Sequence, residues 1–462
     1  MRRTVRSLVL CLALIGSLSV LAVVPDWVAA GARTSSLPSC DTADASLLYG
    51  RTVISSEGQD IVFEYRRVFR ILTADGLVHG RLVVAYDDDS RLTRVAGWRL
   101  DGNGRLLEEL EKDDIERVAM NLSFVDDSRQ LIGRFDNVEK GDIVAFAYRL
   151  KFKTLFRDVF LSLGGSYEVV RHEVIVNGNA RTAVLNDPSG YVTESTNGFE
   201  VKGIPVLKRE SSQPPLADRV PQLAVSYHPE GESWESFGRY YWNLTNSQLA
   251  LTGAATSKAA AAVPFKDRRQ YIQDVIRFVS GNINYVDIEL GVGGYIPHSC
   301  TTVLDKRYGD CKDMAFLAAA MLRAQGIDAY PVLAQGRSHG RIYPEFPGNQ
   351  FNHVILGVRL EEEERDLSNV ELEGQPYLFS DLTSRITRPP FLPDQLEGSY
   401  ALMARESGGV LVRLPWSSAD VNRRDVNIRA GLRIDGSISA TLTETLAGQC
   451  LREGSADRTI NP

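Results

Sequence analysis

The apolar pattern of this chain changes period near residue 264, and that change restricts the fold to separate β-rich and mixed α+β units. From about Asp41 to Lys208, short apolar runs recur between turn signals. Ile61–Arg70 mixes β-branched, aromatic and charged residues, and Leu82–Tyr86, Ile143–Tyr148 and Val169–Val176 are further strands. Asp75-Gly76, Asp101-Gly102 and Asn177-Gly178 mark turns. This half predicts an antiparallel β-sandwich-like domain or a pair of sheets. Beyond it, Ile272, Val275, Ile276 and Val279 fall at helical spacing between Pro264 and Ser280, with Pro264 suited to the first turn. A second helix is predicted from Cys311 to Gln325. Its apolar stripe is Met314, Leu317, Ala318 and Met321, and Gly326 is its stop. Strands are expected at Ala329–Ala334, Phe351–Val358 and Tyr377–Phe379. The acidic run Glu361–Arg365 reads as a solvated hairpin tip between the last two, not as a metal site.

The segments between and after these units are shorter. Ser211–Pro215 is a break, and the aromatic-rich Ser233–Trp242 reads as packing in an inter-domain segment. The alanine run Lys258–Ala262 reads as a helix end or linker. After Ala401 strands return, with a hairpin turn at Asp435-Gly436. The expected division is a leader over 1–32, a β-rich domain over 41–210, a linker with short helices over 211–262, a core over 263–400 and a β segment over 401–462.

Arg2, Arg3 and Arg6 precede an apolar run from Leu8 to Val24, and small residues follow to Ala32. That is the order of a secretory signal, with Ala30-Gly31-Ala32 as the cleavage pattern. It implies export, most simply to the periplasm, with membrane attachment only if the leader is kept as an anchor. The formal net charge of -7 leaves no basic surplus to neutralise phosphates, which argues against nucleic acid. Five cysteines, Cys11, Cys40, Cys300, Cys311 and Cys450, are too few for a disulfide framework in a chain of 462 residues. A Cys40–Cys450 bridge is one pairing open to them.

Chemistry concentrates in Tyr308-Gly309-Asp310-Cys311-Lys312-Asp313, where a glycine turn leads into a helix start. Asp310 is placed to cap that helix, with Asp313 three residues on. Cys311 then stands in the first turn, where backbone N–H groups and the helix dipole favour a thiolate. The two aspartates oppose that effect, so a base is required. His353 on a predicted strand is the candidate, and Asp381 just beyond the next strand is the carboxylate to orient it. Taken singly, each residue has an ordinary structural explanation. A thiol pairing of Cys311 with Cys300 lacks redox-motif spacing. Neither His298 nor His339, which lie near these motifs in sequence, acquires a role.

Tyr285–Pro297, Arg307–Asp313 and Phe351–Ile355 together resemble the bacterial transglutaminase-like superfamily, in exported proteins that carry a DUF3857 domain ahead of that core. The resemblance is close over about Val263–Tyr400 and looser over Asp41–Lys208. It implies a papain-like cysteine-protease core with Cys311 as nucleophile, His353 as base and Asp381 as carboxylate. It also implies an oxyanion donor upstream of the nucleophile, for which Tyr285 is the guess. The family's Asp-Pro-Thr is Asp381-Leu382-Thr383 here. The expected activity is acyl transfer on amides of peptides or proteins, with no cofactor. A non-catalytic binding or scaffold protein built on the same core is the alternative.

Overall fold

The computed structural model describes residues 24–36, 43–120, 125–208, 210–228, 232–289, 294–385 and 389–448. Most of the apolar leader, together with Cys11, Cys40 and Cys450, lies outside them. Among the described residues no helix is long and apolar enough to cross a membrane.

The N-terminal region is β-rich, as its alternating pattern requires. Its main sheet has the strand order Val192–Ser195, Gly198–Ile204, Glu168–Val176, Ala45–Glu57, Asp60–Ile71, Ile143–Lys153, Ser90–Leu100, Leu106–Glu109. One neighbouring pair, Ala45–Glu57 with Glu168–Val176, runs parallel. Two three-stranded sheets complete the region. A core containing Phe63, Phe69, Leu131, Phe146, Val174 and Leu223 joins them.

Helix α1 (Asp26–Ala32) precedes this sheet and packs onto it. Val28 is fully buried against Leu48, Val68, Leu100 and Ile143, and Trp27 meets Trp98 edge-on at 5.6 Å. Residues 26–32, the end of the stretch expected to be a leader, thus fill a hydrophobic site of the β domain.

The second region begins inside the stretch expected to be a linker. Gln222–Ser226, buried throughout, is the central strand of one three-stranded sheet of the β domain. Short strands buried on both faces show no alternation, so the sequence gives no strand signal there. Helix α2 (Trp234–Thr245) follows, capped by Ser233. It packs Phe237, Tyr241 and Trp242 into the second core, with Phe237 5.4 Å from Phe156 of the β domain. Gly238 lies against Gly409 so closely that a Cβ at 238 would stand 2.2 Å from the Gly409 Cα. Helix α3 (Ala254–Ala262) contains the alanine run.

Helix α4 spans Arg268–Asn282, not Pro264–Ser280. The Asp267 side chain accepts from the Gln270 N–H at 2.8 Å, and this cap sets the start in place of the proline. Ile272, Val275, Ile276 and Val279 are buried as the spacing predicts. Helix α5 is Cys300–Lys306 and helix α6 is Cys311–Arg323, with Gly326 at φ +73° in the turn that ends it. Helix α6 is buried on every side from Lys312 to Leu322, where the sequence suggested a single stripe. It lies against a six-stranded sheet ordered Val370–Leu372, Gln375–Ser380, His353–Arg359, Ala329–Ala334, Tyr400–Met403, Val410–Arg413.

Two further corrections follow. The last two strands of that sheet belong to the core, so the core runs past Tyr400. Glu364 is turned inward and paired with Arg268 at 3.1 Å, so the acidic run is only partly solvated. Arg423–Leu432 and Ile438–Ala447 form the expected hairpin, exposed over nearly its full length.

Candidate active site

Cys311 is the first residue of α6, and the turn before it explains why the helix starts there. The Asp310 side chain accepts from the Asp313 N–H, while the Asp313 carboxylate accepts from the Asp310 N–H, a reciprocal cap. Gly309 permits this closure, because a Cβ at 309 would stand 2.6 Å from the Asp313 Cβ.

Both carboxylates are engaged. Lys312 donates its ammonium to Asp310, and both side chains are buried. Burial pushes the Asp310 carboxyl up, Lys312 draws it down and the Asp313 charge adds to the rise, leaving it above its ordinary value. Asp313 accepts from the His298 N–H at 2.7 Å and meets His298 Nδ1 at 3.0 Å. The aspartates that would oppose a thiolate are thus tied to partners. His298, given no role from sequence, holds one of them. Its nearness to the motif in sequence was the only signal for it.

His353 opens the strand His353–Arg359, opposite Ala334. The preceding Asn352 accepts from the Gly336 N–H at 3.2 Å, fixing the end of the neighbouring strand. The pairing of Leu356 with Ser380 carries Asp381 to a diagonal position across from His353. His353 Nε2 stands 3.1 Å from Asp381 Oδ2, an ionic contact bent away from the ring N–H direction. The Cys311 sulfur lies within hydrogen-bonding reach of the same imidazole. Asp381 is held in turn by Thr383, whose N–H and hydroxyl both donate to Oδ1, at 2.9 and 2.8 Å. Leu382, in place of the family's proline, fills the core at 1 % exposure.

Charge follows this geometry. Burial opposes a proton on His353, but the Asp381 charge and contact, then the Cys311 sulfur, outweigh it and hold the imidazole well above its ordinary value. Burial raises the Asp381 carboxyl, and the His353 charge and Thr383 donors bring it below the usual carboxylate range. The arrangement sets an imidazole held above its ordinary value beside the Cys311 sulfur, with a carboxylate behind it.

These groups open into a cleft of about 570 Å³ lined by both regions. Tyr241, Tyr295 and Phe351 stand on the core side, and Phe156, Lys153 and the carboxylates of Asp87, Asp89 and Asp127 come from the β domain. The two regions are also tied near His353. Asp158 Oδ2 accepts from the Asn349 N–H at 2.7 Å, and the Arg181 guanidinium lies 4.0 Å from the Phe346 ring centroid. Tyr285, guessed as an oxyanion donor, sits in a two-residue strand at 45 % exposure and does not line the cleft. Cys300 is fully buried, and burial pushes its thiol up; both Cys300 and Cys311 are free.

A fold of this kind, with a cysteine at a helix start facing a histidine on a sheet, is that of the cysteine proteases and their transglutaminase-like relatives. Comparison with known families agrees. Residues 59–213 match DUF3857, a domain of unknown function, and residues 257–364 match the transglutaminase-like superfamily. The chain thus carries, in this order, a stretch that matches DUF3857 and a stretch that matches the transglutaminase-like superfamily. The second match ends before Asp381. Among solved structures, a candidate protease from Parabacteroides distasonis aligns over 85 % of this chain and 78 % of its own, at 15 % identity and a TM-score of 0.60. A candidate cysteine protease from Cytophaga hutchinsonii aligns over 84 % and 89 %, at 10 % identity and a TM-score of 0.21. No curated protein matches.

Proposed function

We propose that this chain is an exported cysteine acyl-transfer enzyme acting on amide bonds of peptides or proteins. Cys311 is the nucleophile, His353 the base and Asp381 its orienting carboxylate. The observation that carries this reading is one cleft in which the Cys311 sulfur reaches an imidazole whose far nitrogen contacts a buried carboxylate. The Cys311 sulfur attacks the carbonyl, and His353 protonates the departing amine. Water then resolves the thioacyl-enzyme in a protease or amidase, or a second amine does so in a transamidase. The charged and apolar order of the N-terminus supports export, with the periplasm as the site of action and cell-envelope peptides as substrates.

The test is alkylation by iodoacetamide across pH, with the labelled site assigned by mass spectrometry, on wild type, Cys311→Ser, His353→Ala and Asp381→Asn. Selective labelling of Cys311 well below the free-thiol value of about 8.5, slowed in His353→Ala, supports the reading. Labelling no faster than at Cys300 and indifferent to His353 overturns it in favour of a binding or scaffold protein.

A further inference from the structure

The buried hydroxyls of the core are a useful place to look for an unassigned role, because each needs a partner. Tyr271 Oη donates to the Met321 carbonyl at 3.2 Å, Tyr240 Oη to the Leu155 carbonyl at 3.3 Å, and Tyr227 Oη to the Asn177 carbonyl at 2.8 Å. Tyr241 differs. Its side chain is 2 % exposed, its Oη is shielded from solvent, and among the described residues that oxygen has no hydrogen-bond partner. It lines the same cleft as Cys311 and His353. Leaving such a group unpaired is unfavourable in the resting protein, and a ligand atom that accepts its hydrogen would relieve that.

We infer that the Tyr241 hydroxyl is a catalytic oxyanion donor for acyl transfer at Cys311. The inference rests on the acyl-transfer reading above. When the sulfur attacks, a C–S bond forms and the carbonyl π pair moves onto oxygen. Tyr241 Oη–H donates to that oxygen, together with the Cys311 backbone N–H, which at the first position of α6 has no acceptor within the helix. The π bond then re-forms, the C–N bond breaks, and the amine leaves with the proton of the His353 imidazolium. Tyr241 suits the task electrically as well. Burial, then the charges of Cys311, Asp310 and Asp313, push its phenol up, so the donor proton stays in place. Helix α2 fixes the ring, held by the Ser233 cap and by the Gly238–Gly409 contact one turn earlier.

The test compares two reactions of one sulfur in the full chain. Acylation by p-nitrophenyl acetate passes through an oxyanion, whereas alkylation by iodoacetamide displaces iodide and forms none. Tyr241→Phe should slow the acylation burst by about 10–10³-fold while Cys311 alkylation keeps the wild-type rate and pH profile. An unchanged burst overturns the assignment. A parallel loss of both reactions also overturns it, showing that Tyr241 only supports the fold. Wild-type Cys311 that fails to label selectively brings down the acyl-transfer reading itself, a result distinct from either.

Discussion

Cys300 and Cys311 make a natural pair, because each is the first residue of a capped helix and each is free. Ser299 caps α5 through the Thr302 N–H, and Asp310 caps α6 through the Asp313 N–H. If a helix start alone activated a thiol, both would be activated. Cys300 is instead fully buried in the core, and burial pushes its thiol up. Cys311 is half-buried, opens on the cleft and meets His353. The helix N-terminus supplies partial charge to either sulfur, but the charged partner and the access path belong to one.

The strongest way to break this contrast is His353→Ala. At about pH 6, Cys311 alkylation should fall about 10²-fold or more, toward the rate of Cys300, with the melting temperature little changed. A Cys311 that stays fast would return the credit to the helix. Next is Asp381→Asn, which removes the charge that holds the imidazole above its ordinary value. The alkaline limb of the Cys311 alkylation profile should move to lower pH, with a loss of roughly tenfold near neutrality. Thr383→Val keeps the carboxylate but removes a donor to Oδ1, and should cost a few-fold in the same assay. The smallest effect concerns the tie between the two regions. Burial pushes Asp158 up to about 6, against hydrogen bonds from Ser226 and the Asn349 N–H and the charge of Arg181. A raised carboxyl binds its proton more tightly when folded, so stability should decline as pH rises from about 4 to about 6 and level off above. Melting curves of Asp158→Asn should lack that decline.

Much of the site was legible because its cues are local. Gly309, Asp310 and Asp313 announce a helix start within five residues of chain, and His353 and Asp381 sit at the edges of apolar runs. What escaped depends on pairing at a distance. Nothing near Tyr400–Met403 says that it will lie beside Ala329–Ala334. Gln222–Ser226 follows a proline pair and is buried on both faces, so neither alternation nor turn spacing betrays it. Tyr241 is the sharpest case. An aromatic on a helix within Ser233–Trp242 fits inter-domain packing, and its neighbours do pack that way. Only the lack, among the described residues, of a partner for its oxygen sets it apart.

The parallel pairing of Ala45–Glu57 with Glu168–Val176 has a kinetic consequence. Residues 58–167 must be made before the inner strand of the main sheet finds its second neighbour. Such distant contacts form slowly, because the loop must close before the strands reward it. During synthesis, strands 45–57 and 60–71 can zip into a hairpin at once, but one edge of that hairpin stays open until residue 176 emerges. An open edge is a template for aggregation. Slowed or interrupted synthesis inside 58–167 should therefore be where this chain misfolds, well before Cys311 has been added.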